Sequence, residues 1–217
     1  VNVNVNVDVN ESAASDEVPV PVETQKLPLF DVAKDGPLLK EAKNIEITTN
    51  AGPITLHIDP ALAPITATQM YRLLTANAFV GTRICGYQPN YLVQIAVAED
   101  KAPGQSAITD RGRTILRRLP LEVDGQKSTA VNHRKYALSM GRYPQDPESG
   151  VSSFSIILQN SPHLDHEFAV FGNIQDDAAT LQTLSNIAKD FEPHKYWITG
   201  AKELPNAVAN LVKPVER

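Results

Sequence analysis

The sequence predicts a mostly β protein, an antiparallel barrel whose open ends are covered by two α-helices. Short segments of period-two alternation recur through the middle of the chain, bounded by Gly, Pro, Asn or Asp. Only two stretches, far apart in sequence, carry apolar residues at helical spacing. A hydrophobic content of 42% in 217 residues supports one core of ordinary domain size. Many short strands with few helices bury their edges best by closing on themselves.

Residues 1–42 read as an extended, low-complexity N-terminal tail, 43–202 as the domain and 203–217 as a C-terminal tail. The opening run from Val1 to Asn10 alternates strictly, which puts every valine on one face of an extended strand. One reading is a disordered tail, supported by the polar stretch 11–17 and by Pro19-Val20-Pro21. The other is strand addition to a partner's sheet or to this domain's own.

From Asn44 the pattern changes. Ile45, Ile47 and Thr49 alternate with polar residues, Asn50-Ala51-Gly52-Pro53 supplies a turn, and Ile54, Leu56 and Ile58 alternate again, which makes a β-hairpin. After the loop 59–63, Pro64 suits the first position of a helix. Ala67, Met70, Leu73 and Leu74 then give that helix one apolar face, ending near Asn77. Strands follow around 82–88 and 91–97, parted by Gln88-Pro89-Asn90. Residues 99–130 are polar and loop-rich, and strands resume at 136–140, 153–158 and 168–174. A second helix at 177–189 shows Ala178, Leu181, Leu184 and Ile187 at three-residue steps. Tyr196-Trp197-Ile198 reads as the last strand.

A net charge of -5 and a pI near 5.5 argue against a nucleic-acid backbone binder, which needs a basic stripe. The cluster Arg111, Arg113, Arg117 and Arg118 reads as a solvated loop. No apolar run approaches the roughly 18 residues that span a bilayer, so no membrane crossing is expected. The one cysteine, Cys85, excludes an internal disulfide and reads as a small buried hydrophobe on a strand. A chain that starts with Val rather than Met suggests a processed protein or a trimmed one.

His163-Leu164-Asp165-His166 offers two imidazoles and a carboxylate, but no third ligand can be assigned, so neither metal nor other cofactor is expected. Ser152, Ser153 and Ser155 lack a Gly-x-Ser-x-Gly elbow, which argues against a hydrolase triad built on them. His57 and His133 read as structural or surface residues, and His194 as part of a loop.

The order of particular residues resembles the cyclophilin family of peptidyl-prolyl isomerases. Ala63-Pro64-Ile65-Thr66 is similar to that family's "APxTV", Phe79-Val80-Gly81-Thr82 to "FYxGT", and Pro89-Asn90-Tyr91-Leu92-Val93-Gln94 to "PxFMIQ". Leu138-Ser139-Met140 resembles "LSMA", and Ser152 to Ile156 resembles "SQFFI". Leu164-Asp165 through Val170-Phe171-Gly172 resembles "WLDxxxxVFG". Six colinear blocks cover some 130 residues. The resemblance implies a cyclophilin-like eight-stranded barrel closed by two helices.

It also implies an activity. Family catalysis lowers an amide rotation barrier of about 18–20 kcal/mol, largely through one arginine that donates to the prolyl nitrogen as conjugation is lost. That arginine follows "GTxFH", and here Gly86 holds its place in Gly81-Thr82-Arg83-Ile84-Cys85-Gly86. Ser153 stands where a glutamine contacts substrate backbone, and Ser155 where a phenylalanine floors the proline pocket. His163 replaces a tryptophan, and Phe168 a histidine at the pocket wall. Tyr91, Leu92, Gln94 and Leu164 keep the family's character, which leaves a peptide groove of poor proline selectivity.

Arg83 is three positions from Gly86 and so falls on the opposite strand face unless the strand bulges. Arg142, after Met140-Gly141 and with Gly141 in the same groove, is the better substitute donor. Its alternative is a solvent-facing side chain or one paired with Asp146 or Glu148.

The expected function is therefore protein binding or scaffolding by a cyclophilin-like domain without isomerase activity. Partners would be other proteins, engaged through residues 1–42 and 203–217. An active isomerase with a rearranged site and a holdase chaperone are the alternatives. The expected location is a processed organellar compartment, such as a plastid or thylakoid lumen, or the secretory route.

Overall fold

The computed structural model describes residues 26–96, 114–124, 131–192 and 195–205. The valine-rich opening, Arg111, Arg113 and His194 lie outside the described residues.

Strands β1 (Lys43–Thr49) and β2 (Gly52–Ile58) form the expected hairpin, in unbroken register from Lys43↔Ile58 to Thr49↔Gly52. Alternation sends Ile45, Ile47, Ile54, Leu56 and Ile58 inward, all fully buried. The later strands are β3 (Ile84–Gln88), β4 (Leu92–Ile95), β5 (Ala137–Met140), β6 (Phe154–Ile157), β7 (Val170–Ile174) and β8 (Ile198–Leu204). All eight make one antiparallel sheet in the order β3-β4-β6-β5-β7-β2-β1-β8. The sheet curls until its edges meet. Gly81 N–H donates to Ile198 O, Ile198 N–H to Thr82 O, and Ile84 N–H to Tyr196 O, at 2.8–2.9 Å. These bonds join the two edges at the start of β3 and β8.

The last strand starts later than expected and runs to Leu204, because its pairing with β1 continues through Asn44↔Leu204. Residues 196–198 instead make the closing bridge.

A short helix α1 (Val32–Asp35) precedes the sheet, and α2 (Pro64–Thr75) and α3 (Ala178–Lys189) cover the barrel. Helix α2 has alanine at its N-cap, which supplies no capping oxygen. The carboxylate of Glu122, from a distant loop, does the job. It accepts from Ile65 N–H (2.9 Å), Thr66 N–H (2.6 Å) and the Thr66 hydroxyl (2.7 Å), where the helix dipole also favours negative charge. Helix α3 is capped locally by Asp177, whose carboxylate accepts from Thr180 N–H.

The buried face of α3 is Thr180, Thr183, Leu184 and Ile187, not the 178-181-184-187 row expected from sequence. A strict three-residue step drifts round a helix of 3.6 residues per turn, so Ala178 ends exposed and Leu181 half-buried.

Within the segment 1–42 that the sequence sets apart, residues 28–39 lie against the barrel. Phe30 joins the main core. Phe30 N–H donates to Arg118 O, Arg118 N–H to Pro28 O, and Leu39 N–H to the Thr68 hydroxyl. Asp35 is bound by Arg117 at 2.6 Å and faces Arg72 at 4.0 Å. Burial alone raises this carboxyl, but the Arg117 hydrogen bond leads the opposing contributions, which hold it below its ordinary value. Arg117 and Arg118 are thus not solvated loop residues. Arg118 pairs with Asp146 (3.0 Å) and reaches Glu148 (3.8 Å), tying this edge to the loop after β5.

Candidate functional site

The main core lies inside the barrel, where Phe79, Phe154 and Phe171 meet edge to face. A second apolar cluster of Ala137, Ile157 and Val170 sits on the outer surface of β5, β6 and β7, with Leu62, Leu92 and Leu164 over it. Beside that cluster a cleft of about 440 Å³ opens. Its walls come from β4, β5, β6 and the loops after β5 and before β7.

The register decides what faces this cleft. Leu92 pairs with Ile157, an apolar row. Two residues along, Gln94 pairs with Ser155 and Ser155 with Ser139, a polar row crossing three strands. All of these residues line the cleft. Gln94 donates through Nε2 to Ser153 Oγ at 3.1 Å.

The structure brings most of the residues expected from sequence to this place. Tyr91, Leu92, Gln94, Gly141, Arg142 and Ser153 line the cleft, as do Ser155, Leu164 and Phe168. His163 does not. It is exposed in the 3-10 turn Pro162–Leu164 and stacks on Tyr91 (ring centroids 5.8 Å apart), with Nε2 3.3 Å from the tyrosine hydroxyl. The imidazole braces the tyrosine instead.

Gly86 sits on the cleft side of β3. A Cβ built there meets Gln94 Cβ and Oε1, both at 3.3 Å. Register slips between Ile84 and Gly86, so this strand does bulge and Cys85 is the extra residue. Two expectations change with it. Cys85 is exposed rather than buried, its Sγ 3.4 Å from Gln94 O. Strand alternation also no longer separates Arg83 from Gly86. Distance does: Arg83 bridges to Trp197 at the closing seam and is not among the residues lining the cleft.

Arg142 lines the cleft with its guanidinium committed elsewhere. Nε donates to Glu167 O (2.7 Å), Nη1 to Tyr143 O (3.1 Å) and Pro144 O (2.9 Å), and Nη2 to the Glu167 carboxylate (3.0 Å). Only one N–H of the five is left over. The group also lies 5.2 Å over the Phe168 ring and is almost wholly buried. Its partner is Glu167, not Asp146 or Glu148, because Arg118 already holds those two. Arg142 therefore clamps the loop after β5 to the loop before β7.

Sequence reasoning missed a buried chain behind the cleft floor. Asp165 accepts from Asn132 N–H, His133 N–H and His133 Nδ1 (3.0, 2.8 and 2.7 Å), and His133 Nε2 lies 2.9 Å from Ser139 Oγ. The imidazole has no exposed surface. Burial pushes its pKa down, against the Asp165 bond that raises it, so the ring is neutral. Asp165 is itself raised by burial, but the Asn132 and His133 hydrogen bonds outweigh this and leave it below the usual carboxylate range. Asn132 and His133 are 33 and 32 positions from Asp165, and no local spacing announces the chain.

The order Asp-His-Ser is that of a serine nucleophile. The adjacent backbone does not support that chemistry. Met140 N–H is bonded to Ala169 O and Gly141 N–H to Ser153 O, so neither is free to stabilise an oxyanion. What the chain does is orient a hydroxyl. Among the described residues, no group of three or more His, Cys, Asp or Glu is placed to hold a metal. No helix among them is long and apolar enough to cross a membrane.

With this geometry in place, the family model for cyclophilin type peptidyl-prolyl cis-trans isomerase/CLD matches residues 44–215. The chain belongs to this cyclophilin family. It is similar to peptidyl-prolyl cis-trans isomerase CYP23 of Arabidopsis thaliana, 33% identical over 139 residues (64% of this chain, 58% of that protein). It is also similar to a putative thylakoid lumen peptidyl-prolyl cis-trans isomerase of Synechocystis, 26% identical over 175 residues (69% and 45%). The chain thus spans about half the length of these curated relatives. Among solved structures, a Cryptosporidium parvum cyclophilin matches 76% of this chain and 99% of its own, with TM-score 0.59 and 21% identity. AquaCyp293 of Hirschia baltica matches 83% and 79%, with TM-score 0.52 and 14% identity. At these identities the structural neighbours establish the cyclophilin fold.

Proposed function

We propose that this cyclophilin domain binds extended segments of other proteins in the cleft over β4, β6 and β5 without isomerising prolyl bonds. One observation carries the reading: the one guanidinium that lines the cleft among the described residues, that of Arg142, has four of its five N–H donors spent on its own loops. Gly86 stands where the family resemblance expects arginine, and Arg142 is bonded to Glu167, Tyr143 and Pro144. Rotation of a prolyl amide is accelerated by interactions that are stronger in the transition state than in the ground state, and a donor to the nitrogen as it loses conjugation is the one the family resemblance implies. The cleft retains walls for a peptide in Tyr91, Leu92 and Leu164. Residues 1–42 and 203–217, apart from 28–39 and 203–204 that this domain itself holds, add area for partner contacts in a larger assembly. An organellar lumen is part of this proposal, supported by the Synechocystis relative whose name places it in the thylakoid lumen.

The competing reading is an active isomerase, favoured by the names of both curated relatives. A chymotrypsin-coupled assay on a prolyl peptide separates the two. The binding reading predicts a rate at the uncatalysed level. A kcat/KM of about 10⁴ M⁻¹s⁻¹ or more would establish the enzyme.

A further inference from the structure

The cleft floor is divided. One half is the apolar row of Leu92 and Ile157 with Leu164 above it; the other is the row Gln94, Ser155 and Ser139. Among the described residues neither Asp nor Glu lines the cleft, and the one arginine that does is bonded to Glu167, Tyr143 and Pro144.

The hydrogen-bond polarity of the floor is fixed from behind. The Asp165 carboxylate can only accept, so it takes the proton on His133 Nδ1 and leaves Nε2 as an acceptor. Ser139 must then donate its hydroxyl proton to Nε2, so its oxygen shows only lone pairs to the cleft. Ser155, directly opposite Ser139 in the ladder, has no hydrogen-bond partner among the described residues, so its hydroxyl is free to donate. Cβ atoms of such facing pairs lie about 4.5–5.5 Å apart. The floor therefore presents an acceptor and a donor side by side at the edge of an apolar strip.

We infer that the cleft selects an uncharged carboxamide side chain, glutamine above all, in place of the prolyl ring. Its NH₂ donates to Ser139 Oγ, its carbonyl accepts from Ser155, and its two methylenes lie on Leu92, Ile157 and Leu164. A prolyl ring satisfies neither serine, and polar groups left dry and unpaired in a site are what reject an analogue. This inference rests on the proposal that the cleft binds peptides.

The test is titration of the full ¹⁵N-labelled chain with acetyl-Ala-Ala-X-Ala-Ala-amide, where X is Gln, Leu or Pro, followed by amide shifts of cleft residues. Gln is expected to bind about 10-fold tighter than Leu or Pro, the equivalent of one to two net hydrogen bonds. Ser139→Ala should erase most of that preference, weakening the Gln peptide and not the Leu peptide, while Ser139→Thr, which keeps the hydroxyl, retains it. Pro binding as tightly as Gln, or Ser139→Ala weakening all three peptides alike, would overturn the inference and leave the peptide-binding proposal standing. No shift with any peptide at about 1 mM, a free energy near 4.1 kcal/mol, would remove both.

Discussion

Phe154 and Ile156 of β6 point into the barrel with no exposed surface, while Ser153 and Ser155, on the alternate positions, face the cleft. The two faces of this one segment follow different rules. Inside, the Phe79–Phe154–Phe171 contacts require shape and apolar bulk, and every barrel of this size must supply them. Outside, Ser153 and Ser155 belong to neither apolar cluster of the described residues, so they are open to change. Family membership is thus recorded on the inner face and chemistry on the outer. A chain can keep the first while replacing the second.

The sharpest way to break this comparison is to exchange neighbours across the strand. Phe154→Ala removes a ring that nothing can collapse to replace, and should cost about 3–5 kcal/mol. Ser155→Ala, one residue later and on the opposite face, should change stability by less than about 0.5 kcal/mol. Urea unfolding of both variants with an unchanged m-value checks this. Similar losses at the two positions would mean that the outer face also supports the barrel.

The same division explains how far the sequence could be read. Period-two alternation locates the β1–β2 hairpin and its inward isoleucines because each of those residues answers to one constraint, burial. It fails at Cys85, where a bulge inserts one residue and reverses the faces upstream. It also fails at Arg117 and Arg118, whose carboxylate partners on Asp35 and Asp146 are 82 and 28 residues away. The cleft's membership was legible from Tyr91, Gln94, Ser153 and Ser155 through the family's residue order. The polarity of its floor was not, since His133 and Asp165 act on Ser139 through hydrogen bonds that only the closed barrel assembles.

Between the two faces lies the His133 chain, and pH distinguishes it from both. Its imidazole has a folded pKa lowered chiefly by burial, so between that value and about 6.5 the unfolded chain binds more protons than the folded one. Stability therefore falls as pH drops through this window, by up to about 1.4 kcal/mol per pH unit. Asp165, also lowered, adds a further loss below the ordinary carboxylate value. Unfolding midpoints between pH 7.5 and 5, together with the imidazole ¹³C shifts of His133, measure the effect. A midpoint that stays level or rises on acidification would show that the ring is not held neutral.

The smallest expected effect is at Gly86. The Cβ of an arginine there meets Gln94 side-chain atoms at 3.3 Å, a contact relieved by a few tenths of an ångström, so Gly86→Arg should fold. It restores a donor on the cleft side of β3. Yet a donor acts only on a prolyl bond already held in place, since positioning supplies a large share of any rate enhancement. Ser155 in place of an aromatic floor removes much of the apolar area that would grip the ring, and Ser153 is occupied by Gln94. Gly86→Arg alone is thus expected to leave prolyl isomerisation at the uncatalysed rate, and the combination with Ser155→Phe to raise it. Strong activity in the single variant would mean that the outer face has kept its grip on proline, and that the two faces of the barrel have diverged far less than the serine floor implies.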